Sequence, residues 1–154
     1  MKKLIAAIAI PCLTLLAMAL YHQSLLSTSP EYEFEITGYD PRDLLAGRYL
    51  RFTIKYDMDT TCEQDKYIDV KMCVSPFKRM ITDGNLDGCK QWINGTCYKS
   101  RVNDQLNRFY VPEDKAPVLE SAMVGKRATI KVSVGQGNAV IKDLLIEGKS
   151  WKDY

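Results

Sequence analysis

At 154 residues, 46% of them hydrophobic, this chain has the apolar content for one folded domain and too little length for two. The formal net charge is +2, and with Lys2 and Lys3 set apart beside an apolar run the remainder is close to neutral, which argues against a nucleic-acid partner. No low-complexity stretch and no internal repeat interrupts it.

The first element is the uncharged run over residues 4–21, LIAAIAIPCLTLLAMALY. About 20 apolar residues span a hydrocarbon core, and this run, with Tyr21 at the interface, is at the short end of that range. Lys2 and Lys3 hold the N-terminus in the cytoplasm, so the body of the chain faces outward. Ala17-Met18-Ala19 has the small-x-small form of a cleavage site, which makes a secreted, cleaved protein the alternative. Leu20 and Tyr21 carry the apolar run past that site, so the anchor is expected to be retained. The expected organisation is a signal anchor over 1–22, a polar spacer over 23–30 and a β-domain over 31–154.

Cysteine usage agrees with export. Cys12 sits inside the apolar run, leaving Cys62, Cys73, Cys89 and Cys97 in the body. An even number in an exported domain reads as two disulfides, with three connectivities open. A four-cysteine zinc site is the rival, but no CxxC pair supplies the close ligand spacing such sites use.

Period-two patterns follow. Tyr32, Phe34 and Ile36 alternate with Glu31, Glu33 and Glu35, giving a strand with one acidic face. Over 48–57, Leu50, Phe52, Ile54 and Tyr56 point one way, and Arg51, Thr53 and Lys55 the other. The stretch 66–74 repeats this with Ile68, Val70, Met72 and Val74. Asn94-Gly95 suits the positive φ angles of a two-residue hairpin turn within 92–97. A short helix is expected over 117–124, opened by Pro117 and stopped by Gly125. Segments 127–134 and 139–147 form a last hairpin through Gly135-Gln136-Gly137-Asn138. The fold class is therefore mainly β: a small antiparallel barrel or sandwich with one short helix, preceded by an N-terminal membrane helix.

The strongest motif is Asp40-Pro41-Arg42-Asp43-Leu44-Leu45-Ala46-Gly47-Arg48-Tyr49-Leu50, physically a turn, an apolar loop, a glycine corner and a strand. As a string it resembles the GDYXXLXY family, with Asp40, Pro41, Arg42, Leu44, Leu45, Gly47 and Tyr49 carrying the likeness. Arg108-Phe109-Tyr110-Val111-Pro112-Glu113 and the closing stretch 140–149 extend it over most of the body. Arg48 stands where the family has Asp, and Phe52 and Ile54 stand where it has Leu and Tyr. The resemblance implies a membrane-tethered protein without an assigned activity, working beside a multipass membrane partner. A more distant likeness is to type I signal peptidases, in the order anchor, strand, Pro-x-x-Leu-Leu-x-Gly, strand, and in Val111-Pro112-Glu113 followed by Val124-Gly125-Lys126. That chemistry needs a serine shortly before the proline and a lysine made basic by burial. Here Thr37, Gly38, Tyr39 and Asp40 precede Pro41, while Lys55 and Lys71 alternate onto polar faces.

Other catalytic sets fail as well. His22 is the only histidine and abuts the apolar run, so no Ser-His-Asp or Cys-His arrangement can be assembled. Asp57 and Asp59 read as solvated turn residues at a strand end. Asp83, Asn85 and Asp87, with Gly88 in sixth place, match the front half of a calcium loop, but Asn94 occupies the position that needs a bidentate Glu. Asp-Gly and Asn turns give the same letters without metal. Tyr49, Phe109 and Tyr110 are the aromatics expected to be exposed, with Arg48 and Arg51 at the rim of any contact there. No cofactor is expected. The expectation is a single-pass protein of the bacterial inner membrane, N-terminus cytoplasmic and β-domain periplasmic, acting as a non-catalytic accessory module. The runner-up readings are a degenerate peptidase fold and a secreted binding protein.

Overall fold

A computed structural model describes residues 2–40, 49–62 and 65–154, with side chains from Ala9 onward except at positions 22, 25–27, 39, 40 and 120. Helix α1 (Lys2–Thr28) contains Pro11 and runs six positions beyond the expected end at 22. The Thr28 hydroxyl donates to the carbonyl of Ser24 one turn back, so part of the polar spacer finds helical partners. Pro30 then disfavours helical backbone at Ser29 and ends the segment. Among the described residues, no helix is long and apolar enough to cross a membrane.

The body is mainly β. Strand β1 (Glu31–Asp40) leads to β2 (Tyr49–Lys55), β3 (Ile68–Ser75), β4 (Arg79–Ile81), β5 (Gln91–Tyr98), β6 (Arg101–Asp104) and β7 (Arg108–Tyr110). Helix α2 (Ala116–Met123) follows, then β8 (Ala128–Val134), β9 (Gln136–Gly137), β10 (Ala139–Ile146), β11 (Lys149–Ser150) and a single 3-10 turn at Trp151–Asp153. Six strands form one antiparallel sheet in the order β11-β10-β8-β1-β2-β7. The second has the order β4-β3-β5-β6, and β9 joins it by a short parallel pairing with β5.

Strand alternation builds this arrangement. Phe34 and Ile36 of β1 are buried in a core that also takes Leu50, Phe52 and Ile54 from β2 and Met72, Val74 and Ile93 from the second sheet. A side chain as fully buried as Ile36 contributes about 1.5–3 kcal/mol. The acidic face of β1 meets cations on both neighbours and one strand further out: Glu31 with Lys142 at 2.6 Å, Glu33 with Lys131 at 3.8 Å, and Glu35 with Lys55 at 2.8 Å and Arg127 at 3.3 Å. Bonds to the lysines hold the carboxyls of Glu31 and Glu35 below the usual glutamate value. Helix α2 has Pro117 in its first turn and Gly125 just beyond it at φ +70°, as the sequence predicts. Ala116, Leu119 and Met123 line its buried side.

The disulfide connectivity is Cys62–Cys97 and Cys73–Cys89, and Cys12 is free. The first ties the segment after β2 to β5; the second ties β3 to the approach to β5.

One sequence reading is overturned. Asn94-Gly95 is no turn: both residues lie inside β5, paired with Lys71 and Val70 of β3. Gly95 is there for space, because a Cβ would come 3.2 Å from the Asn103 carbonyl oxygen and 3.3 Å from Met72 and Val102. The turn falls at Lys99 and Ser100, with φ of 47° and 58°, between paired Tyr98 and Arg101.

Candidate functional site

The two sheets leave a gap between β2 and β6. Strand β7 pairs with β2 from Tyr49 to Arg51, and just beyond it the Phe52 amide donates to the Asn107 carbonyl at 3.2 Å. From there on, β2 has no neighbour on that side among the described residues. Strand β6 is the last strand of its own sheet. Between these edges lies a cleft of about 1020 Å³, with Arg51 and Lys55 on one bank and Val102 and Arg101 on the other.

Tyr56, just after β2, donates its hydroxyl to Asp104 Oδ2 at 2.7 Å, joining the banks. Asp104 Oδ1 accepts the Leu106 amide at 2.7 Å. Burial raises the Asp104 carboxyl above its ordinary value despite those two bonds, and burial beside that carboxyl pushes the Tyr56 phenol up. Tyr67 and Tyr98 also line the cleft and stack at 4.6 Å with planes 15° apart. Its charges are unevenly matched. Asp57 is paired with Lys78 at 3.0 Å and Lys55 with Glu35 at 2.8 Å. Arg51 and Arg101 are exposed and make no ion pair among the described residues.

The residues singled out from sequence are scattered around this cleft. Arg42 lies outside the described residues, as do Pro41, Leu44, Leu45, Gly47 and Arg48. Asp40 ends β1 opposite Arg51. Tyr49 corrects an expectation: it is 7% exposed, not an open aromatic. Tyr110 of β7 lies across from it with ring centroids 5.8 Å apart, and the Arg108 guanidinium sits 5.1 Å from its ring. Phe109 is half-buried, its ring edge-on to Trp151 at 5.7 Å, whereas Tyr110 is open at 62%. Thr37 pairs with Thr53, and the neighbouring Lys55 amine is spent on the Glu35 carboxylate. Asp83, Asn85 and Asp87 form successive local turns: the Asn85 amide donates to Asp83 and the Asp87 amide to Asn85, each at 3.0 Å. Among the described residues, no group of three or more His, Cys, Asp or Glu side chains is placed to hold a metal ion.

Sequence reading missed Tyr67, Tyr98, Arg101 and Asp104. Each belongs to a segment whose partner bank lies far away in the chain, so nothing local marks them as a group. The uncompensated arginines and the open sheet edges are what this cleft offers to a partner by contact. A family model described as GDYXXLXY protein matches residues 11–144. No curated protein and no solved structure matches the chain, so the likeness to signal peptidases finds no support.

Proposed function

This chain belongs to the GDYXXLXY family, and from that premise we propose that it is a membrane-tethered accessory protein of the bacterial inner membrane. Its β-domain faces the periplasm and works by contact with a multipass membrane protein, without catalysing a reaction. The observation that carries this is the surface of α1. Ile10, Leu13, Leu15, Leu16, Met18 and Leu20 are each more than half exposed. At about 3.6 residues per turn these positions fall all round the helix. A helix that is apolar on every side needs an apolar medium around it. The stretch with described side chains, 9–21, covers about 20 Å of helix. The uncharged run 4–21 covers about 27 Å, close to the ~30 Å hydrocarbon core. Two disulfides in the body support an oxidising compartment on the far side.

Ala17-Met18-Ala19 favours one rival, a cleaved and secreted binding protein. Alkaline extraction of membranes, with N-terminal sequencing of the recovered chain, separates the two. The tethered reading expects the intact N-terminus in the membrane pellet and, after crosslinking in native membranes, a multipass partner. A soluble chain that begins at Leu20 overturns it.

A further inference from the structure

We propose that the cleft between β2 and β6 binds an extended, acidic segment of a partner protein, which adds as a strand to the open sheet edges. This rests on reading the domain as an interaction module and names what the module grips. In an antiparallel ladder, main-chain groups point alternately to one neighbour and the other. The Phe52 amide points to the β7 side, since it meets Asn107. Two residues on, the N–H and C=O of Ile54 share that direction and face the cleft. On the opposite bank, Tyr98 and Arg101 close the two-residue turn at Lys99 and Ser100. Alternation then turns the main-chain groups of Val102 away from β5 and toward the same gap. Open edges of this kind accept another strand, and the bonds formed are independent of its sequence.

Charge supplies the selectivity. Arg51 and Arg101 stand on opposite banks without an ion partner among the described residues, while Lys78 neutralises Asp57 and Tyr56 engages Asp104. An acidic strand between the banks meets both arginines. The cleft volume, about 1020 Å³, is at the top of the range for ligand pockets and suits several residues of peptide better than a single small ion.

The test titrates the full chain in detergent micelles with four probes. They are a capped peptide of about eight alternating Glu and Val residues, some 27 Å long when extended, its Lys/Val counterpart, an N-methylated Glu/Val peptide, and sodium phosphate. The acidic peptide is expected to bind roughly tenfold or more tighter than the lysine one and to slow amide exchange at Ile54 and Val102. N-methylation is expected to abolish binding. The double variant Arg51→Glu, Arg101→Glu, checked for an unchanged far-ultraviolet circular dichroism spectrum, is expected to reverse the charge preference. The proposal is overturned by no binding of the acidic peptide, by equal binding of the N-methylated peptide, by protection confined to other strands, or by phosphate displacing the peptide completely. A chain that stays in the membrane and crosslinks to a multipass partner, yet ignores the peptide, refutes the cleft and leaves the tether standing. A chain found cleaved and soluble that still takes up the peptide does the reverse.

Discussion

Tyr56 and Asp104 share a 2.7 Å hydrogen bond that fastens the end of β2 to the end of β6, residues 48 positions apart in the chain. It crosses from one sheet to the other beside the open cleft. Because Asp104 also accepts the Leu106 amide, the same carboxylate fixes the backbone leaving β6. Width and position of the cleft thus depend on one half-buried acid.

Tyr56→Phe removes the donor and leaves the carboxylate with less compensation for its burial. The expected cost is on the order of 1–3 kcal/mol, read as a lower urea midpoint with an unchanged slope. A midpoint equal to that of the parent protein contradicts the role given to this bond.

Asp104→Asn is expected to separate charge from geometry. Its amide nitrogen can donate to the Tyr56 oxygen while its carbonyl still accepts from Leu106. In the parent protein the folded-state value of Asp104 is raised, so its stabilising contribution is complete below the unfolded value, taken as 3.8, and is lost as pH rises through the folded value. The melting temperature of Asp104→Asn minus that of the parent should therefore be smallest in acid and grow toward neutral pH. A difference that is flat with pH, or that shrinks, refutes the assignment.

The disulfides close loops of different length, with sequence separations of 35 and 16. Loop-closure entropy assigns them about 4 and 3 kcal/mol respectively. Replacing Cys62 and Cys97 together by alanine should lower thermal stability more than replacing Cys73 and Cys89. Non-reducing peptide mapping should recover these two pairs, with Cys12 as the sole alkylated thiol. Any crossed pair argues against the sheet register.

Gly137 has φ +86°, and a Cβ there would lie 2.5 Å from Asn94 Nδ2 and 3.1 Å from Trp92 Nε1. It is the point where the β8–β10 hairpin touches β5. Gly137→Ala should cost on the order of 3 kcal/mol, strain and clash together. Gly148→Ala, at φ +80° with no atom within 4 Å, should cost only about 1 kcal/mol. Denaturant midpoints compare the two directly, and equal losses would show that the contact with β5 is unimportant.

Period-two burial made β1, β2, β3 and β8 legible, because each buries alternate apolar residues over several positions. Strand β10, which buries Leu144, Leu145 and Ile146 in a row, was legible from the Gly135-Gln136-Gly137-Asn138 turn before it. The three- and four-residue strands β4, β6 and β7 are too short to show a period. Asn94-Gly95 misled because a turn signal is local, whereas Gly95 serves a close approach by Asn103 and Met72 that lies outside its own segment. The true turn at Lys99 and Ser100 uses residues with no strong preference for positive φ. Tyr49 was misjudged since alternation assumes one covered face. At the start of β2, Leu50 points to the core while Tyr110 and Arg108 close over Tyr49 from the other side. The cleft was invisible for a similar reason: its banks come from 51–58 and 100–107, and only the sheet order brings them together.

The pairing of β1 with β8 carries a consequence for timing. Glu31 meets Ser133 and Ile36 meets Ala128, so the edge of β1 turned away from β2 waits for a neighbour made far later in the chain. Strands β3 to β6, in contrast, are contiguous in the chain and contain or adjoin all four bonded cysteines. Short loops close fast and long ones slowly. The β3–β6 unit is therefore expected to form first and be oxidised first, with the outer strands clasping it afterwards. Pulse-labelled refolding should show both disulfides before the β1 amides that face β8 gain protection. Until that late step, the edge of β1 that faces away from β2 stays unpaired, and the nascent domain is at its most vulnerable to proteases and to misassociation.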